Sequence, residues 1–270
     1  MPTFRRMTTR NTAAGAAVAA VAGLVALSGA ASAAAAPAAS HLPKPGTNLV
    51  YNGTFALPKA NLNTGKAPAD WKLVLLGAEK KPYAAEIGAY DKSGTYAPPK
   101  GNPNKSDIAA QLFYEGGSDL GVEGIGGQQA LKSVTQANNG QVSFSVAQYL
   151  APATTVATWA GSGLEVVFTA GKYTDTLVYF NPLTPSSGKY SSKPSNSATL
   201  KYLTGPALKV KEWYTWKARS LSADIKKEFG ATSYKVDYVR YVNLEDTIDS
   251  GSPYPNVTSY FADLALTEGK

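Results

Sequence analysis

Apolar residues recur at every second position along much of this chain. Val142, Phe144 and Val146 alternate with Gln141, Ser143 and Ser145, and Leu164, Val166 and Phe168 repeat the pattern. That is the period of a strand with one face buried. Turn formers separate such runs at Asn138-Asn139-Gly140, Gly161-Ser162-Gly163, Ala170-Gly171-Lys172 and Asn181-Pro182. The pattern predicts an all-β protein. One short helix interrupts it, with Ser222 as cap, Asp224 in the first turn, Ile225 and Phe229 four apart on one face, Lys226 and Lys227 toward the end, and Gly230 as stop. Lying between predicted strands at 207–219 and 234–243, it reads as a connection across one end of a sandwich. Two stretches are longer than tight connections need. The first runs from Tyr90 through Gly127 with one short strand at Ile108–Tyr114, and the second covers Asn181–Thr199; long loops of this kind border binding clefts.

The period-two pattern starts only near Asn48. Before it, Arg5, Arg6 and Arg10 precede an uncharged stretch from Ala13 to Leu27, and Ala31-Ser32-Ala33 offers the small residues of a cleavage site. Residues 1–33 are therefore expected to be a signal peptide, and the protein secreted, with no membrane association after cleavage. Residues 34–47, rich in Ala and Pro, read as a linker, and 48–267 as a single domain. Removing the three arginines from the formal charge of +7 leaves 23 basic against 19 acidic residues, +4. The lysines are scattered rather than clustered, which argues against nucleic acid as a partner. There is no cysteine, so stability must come from the core or a bound ion, and a mature chain of about 230 residues is long enough to supply that core.

Missing residues narrow the chemistry. The single histidine is His41, in the linker, so neither a Ser-His-Asp or Cys-His site nor a histidine-bound zinc can be built. Gly121 through Gly127 lacks the lysine and spacing of a phosphate loop, and its glycines read as turn residues. Two-carboxylate glycan chemistry remains open, with Glu115, Asp119, Glu123, Glu165, Asp237, Glu245, Asp246 and Asp249 as the acids to consider; ordinary solvated acids are the simpler reading of each.

Aromatic residues are the stronger lead. Sixteen tyrosines and four tryptophans supply flat faces for the C–H faces of sugar rings, while sugar hydroxyls seek Asn, Gln, Asp or Arg. From Leu208 the even positions run Leu208, Val210, Glu212, Tyr214 and Trp216, and the odd ones Lys209, Lys211, Trp213, Thr215 and Lys217. Regular alternation puts Trp213 on the polar face as a stacking platform and Trp216 in the core. A bulge near Glu212 would reverse both. Trp159, in Thr158-Trp159-Ala160-Gly161, reads as a surface residue at the tip between two strands and a second ligand candidate, with Tyr149, Tyr179 and Tyr202 bordering strands beside it.

The segment Asn48-Leu49-Val50-Tyr51-Asn52-Gly53-Thr54-Phe55 and the closing Tyr260-Phe261-Ala262-Asp263-Leu264-Ala265-Leu266 together resemble the first and last strands of the carbohydrate-binding modules of the galactose-binding-like jelly-roll group, the type appended to secreted cellulases and xylanases. The resemblance implies a jelly-roll β-sandwich of two antiparallel sheets, a polysaccharide or cell-wall glycan as partner, and a core role for Trp71. It also implies a structural calcium held by an acid after the opening Phe, by carbonyls, and by the last-strand acid, here Asp263. Thr54 and Ala56 stand where that family has its acids. The expected function is non-catalytic glycan binding; a glycan-cleaving enzyme on the same scaffold and a structural or adhesive wall protein are the alternatives.

Overall fold

The computed structural model describes residues 48–55, 68–77, 84–90, 98–104, 108–115, 121–131, 140–150, 157–184, 192–247 and 256–267. The expected signal peptide and linker lie outside these residues. The strands are β1 (Lys72–Gly77), β2 (Ala84–Tyr90), β3 (Ala109–Glu115), β4 (Gly121–Ala130), β5 (Gln141–Leu150), β6 (Ala157–Ala170), β7 (Tyr173–Pro182), β8 (Leu200–Thr204), β9 (Trp213–Ser220), β10 (Lys235–Thr247) and β11 (Asn256–Thr267), with the helix α1 (Leu221–Phe229) between β9 and β10. They form a jelly-roll β-sandwich. A six-stranded sheet in the order β1-β4-β10-β6-β7-β8 faces a five-stranded sheet in the order β2-β3-β11-β5-β9. Neighbouring strands are antiparallel, as expected, except at the edge where β7 and β8 run parallel.

The core lies where alternation sends it. Val142, Phe144 and Val146 of β5 meet Leu164, Val166 and Phe168 of β6 in one apolar cluster between the sheets, as the period-two reading predicts. Trp71 fills that core as expected, its ring 4.8 Å from Tyr241 and 5.5 Å from Phe55. The opening and closing motifs also meet: Asn48 bridges Thr267, Leu49 N–H donates to Leu266 O at 2.7 Å, and Leu264 N–H donates to Gly53 O at 3.0 Å. The opening segment is nevertheless no strand. After the Asn48 bridge it coils through turns at Tyr51–Thr54, with Asn52 and Phe55 at positive φ.

Glycine explains two further corrections. Gly161-Ser162-Gly163 is not a turn but the middle of β6, and Gly121–Gly127 is not a turn but most of β4. A Cβ at Gly161 would sit 1.9 Å from the Phe180 ring, and one at Gly127 2.2 Å from the Tyr241 ring. These glycines let aromatic rings of the neighbouring strands cross directly over the backbone, which composition alone reads as a break. The Ala170-Gly171-Lys172 signal does mark the β6–β7 hairpin.

The helix begins earlier than predicted. Ser220, not Ser222, is the cap, accepting Ala223 N–H at 3.2 Å, and Gly230 closes the other end in the left-handed conformation. Ser222 instead shares a 3.2 Å hydrogen bond with the Ser220 hydroxyl. Leu221 and Ile225 then reach the core, and Phe229 packs edge-on against Phe168 at 5.2 Å. Asp224 lies in the first turn as expected and is buried. Arg219 clasps it with two hydrogen bonds of 3.0 and 2.8 Å, and Tyr179 donates its hydroxyl to it at 3.0 Å.

Candidate functional site

The predicted strand over 207–219 is broken. Leu208 and Val210 make isolated parallel bridges to Leu183 and Gln148, Lys211 turns with φ 64°, and β9 starts only at Trp213. Val210, placed in the apolar set, is 44% exposed. The irregularity precedes Trp213 instead of shifting it, so the alternation holds inside β9. Trp216 is buried against Phe144 at 5.9 Å and donates its indole N–H to Asn181 at 2.6 Å, while Trp213 is half-buried and donates to Pro99 O at 3.0 Å.

Trp213 belongs to the outer face of the five-stranded sheet, and strand register shows what shares that face. Trp213 pairs with Ala147, Ala147 with Tyr260, and Tyr260 with Gln111, so these four residues form one row across β9, β5, β11 and β3. The adjoining row holds Thr215, Ser145 and Ala262, with the Ser145 and Thr215 hydroxyls 2.9 Å apart. Ala147, Tyr260, Ala262, Ser145 and Gln111 are all buried, so only half-buried Trp213 and exposed Thr215, on the β9 edge strand, bring these rows to the surface. Gln111 donates from Nε2 to Tyr260 Oη at 3.4 Å. Its Oε1 is buried and accepts no hydrogen bond from any described residue, a condition that buried polar atoms rarely show. Neither Gln111 nor Tyr260 stood out in the sequence as a site residue. The signal available was a single polar residue inside the apolar run Ala109-Ala110-Gln111-Leu112.

The remaining aromatic candidates go elsewhere. Trp159 is not at a tip: it lies within β6, 5% exposed, on the outer face of the six-stranded sheet. There it meets Phe180 at 5.7 Å and Tyr202 at 6.2 Å, so Trp159 and Tyr202 do come together, but in a buried cluster with Val178, Val242 and Leu244. Tyr179 is wholly buried between the sheets; burial, followed by the neighbouring Asp224 carboxylate, holds its hydroxyl well above the usual tyrosine range. Tyr149 sits in β5, its side chain outside the described residues.

The acids are likewise more ordered than expected. Glu165 is no solvent-facing residue: its Oε2 lies 3.2 Å from Arg240 Nη1, with the two side chains 1% and 4% exposed. Arg240 also donates to Gln128 at 2.7 Å and stacks over Tyr238 at 4.3 Å. Burial raises the Glu165 pKa while Arg240 opposes the rise. Burial, then Glu165 and Asp246, push the Tyr202 hydroxyl upward too. Glu123 and Glu245 occupy facing positions on β4 and β10 and are fully buried, again not solvated loop acids. Asp246 accepts the Thr158 hydroxyl at 2.5 Å, and Asp237 that of Thr169 at 2.7 Å. Asp119 and Asp249 lie outside the described residues, as does the side chain of Glu115.

The calcium that the end motifs imply does not fit the described residues. Asp263 sits on a bulge of β11 with φ 52°, and burial raises its pKa. The Thr54 carbonyl accepts from Asn104 Nδ2 at 2.7 Å, and the same nitrogen donates to Ile108 O at 2.8 Å. An amide donor thus stands where an oxygen cage would need to close. Among the described residues no three His, Cys, Asp or Glu side chains gather, whereas calcium takes six to eight oxygens.

No family model matches the chain, and no curated protein matches it. Similar solved structures include a stig cyclase from Fischerella sp. TAU, with TM-score 0.43 and 12% identity over 84% of this chain and 100% of that one. They also include a family 11 carbohydrate-binding module from Clostridium thermocellum in complex with a mixed-linked tetrasaccharide, with TM-score 0.37 and 10% identity over 77% and 93%. A cellulase derived from that of Rhodothermus marinus matches with TM-score 0.36 and 9% identity over 73% and 99%. Likeness at this level assigns no function.

Proposed function

We propose that this is a secreted, non-catalytic polysaccharide-binding protein whose site is the outer face of the five-stranded sheet. The observation that carries the reading is half-buried Trp213 beside exposed Thr215 on β9, the edge strand of that sheet. Trp213 offers a stacking surface and the Thr215 hydroxyl beside it a hydrogen-bonding group, the two features a sugar chain needs. The non-catalytic part is supported by Glu165, which is tied to Arg240 on the opposite sheet, remote from Trp213. A glycan array with the mature protein, followed by titration of the best binder, tests it. Trp213→Ala is expected to weaken binding by about 1–3 kcal/mol, the scale of an aromatic contact; equal affinity of the variant and the parent would remove this face from the account.

A further inference from the structure

Resting on the glycan-binding reading, we propose that the β9 edge takes a polysaccharide bearing uronic acid groups, with a sugar ring stacked on Trp213 and carboxylates held by Lys100 and Lys217. Trp213 is fixed to a turn that carries a cation. Its indole N–H donates to Pro99 O at 3.0 Å, and a Cβ at Gly101 would lie 4.0 Å from its Cδ1. Lys100, the exposed residue between those two, is thus anchored at the rim of the ring. Farther along β9, Thr215 and Lys217 are exposed on either side of buried Trp216, and alternation turns both toward the outer face with Trp213. A ligand reaches these groups from solvent without crossing the buried residues behind them.

The charges fix the kind of ligand. Neither β9 nor the neighbouring β5 contains an acid. Glu212, the residue before Trp213, has its Oε1 3.9 Å from Lys209 Nζ, which offsets its charge. Trp213 and Lys217 are four residues apart on one strand, roughly 13 Å at the usual rise, so the ring and the far cation address different units of one chain. A neutral chain engages only Trp213 and Thr215. A chain with carboxylates also engages two ammonium groups, each adding about two- to fivefold in affinity at an exposed position.

The test is calorimetric titration of the purified protein with uronate-bearing xylan oligosaccharides, and with the same oligosaccharides after reduction of their carboxyl groups to alcohols. The parent is expected to bind the acidic form roughly tenfold more tightly at low salt and to lose that preference in 1 M salt, where the screening length falls to about 3 Å. Lys100→Gln and Lys217→Gln should each weaken the acidic form about two- to fivefold and leave the reduced form unchanged, and the double variant should erase the preference. Trp213→Ala should weaken both forms. Lys72→Gln removes the same charge from β1, the edge strand of the other sheet, and should change neither. Equal affinity of the parent for the two forms, a preference that survives in the double variant, or an equal loss in Lys72→Gln overturns the proposal while leaving glycan binding in place. Failure of the parent to bind either form also overturns it, and failure on every glycan of the array overturns the underlying reading as well.

Discussion

Trp213 and Trp216 are three residues apart and have opposite environments, and that contrast is a physical measurement of the register of β9. Trp216 is packed by Phe144, Tyr179 and Tyr214 and bonded to Asn181; replacing it with alanine leaves a cavity and an unpaired amide, so Trp216→Ala should destabilise by roughly 3–5 kcal/mol in chemical denaturation. Trp213→Ala should barely move the unfolding midpoint. The reverse pattern would mean that the face assigned to Trp213 is the wrong one. Asp263 makes a separate prediction. Its folded pKa is raised by burial from 3.8, so its contribution to stability is fully present below about pH 3.8 and is lost as pH rises through the folded value. Asp263→Asn, which also suits the left-handed backbone there, should therefore raise the melting temperature at pH 7 and leave it nearly unchanged at pH 3. If calcium is held there, the variant would instead melt lower at pH 7, and chelation would lower the melting temperature of the parent.

At the level of strands and helix, alternation located β3, β5 and the inner halves of β6 and β10 because those faces are plainly two-sided. It failed where glycine replaced the side chain that would have carried the pattern. Gly161→Ala should cost about 1–3 kcal/mol, since the Phe180 ring occupies the space of the added methyl and must shift; a neutral outcome in thermal melting would show that β6 does not run beneath that ring. Glu165 reads from its own strand as an ordinary solvated acid, yet its partner Arg240 comes from another strand that no local pattern connects. Glu165→Gln should destabilise by about 3–5 kcal/mol by leaving a buried guanidinium without its counter-charge. Pairing with Arg240→Gln should recover part of that loss in a double-mutant cycle. Purely additive losses would contradict the ion pair.

The whole molecule was legible in the sequence to the depth of its architecture. Two sheets, a short helix, a core around Trp71 and the meeting of the 48–55 and 260–266 segments follow from period-two runs and the two motifs themselves. Of the proposed site, the sequence singled out only Trp213. Tyr179 and Trp159 look identical to binding residues in sequence, since an aromatic beside polar neighbours fits a core wall and a ligand wall equally, and only the third dimension puts Tyr179 under Asp224 and Trp159 under Tyr202. Gln111 and Tyr260 are 149 positions apart, and their row exists only once β3 and β11 are paired. The central claim is that this sandwich holds a polysaccharide on its five-stranded face without cleaving it. The most direct measurement is titration of the purified protein with soluble glucan and xylan, with reducing ends assayed in the same sample. The account predicts saturable binding and no new reducing ends; absence of binding, or release of reducing sugar as binding proceeds, would contradict it.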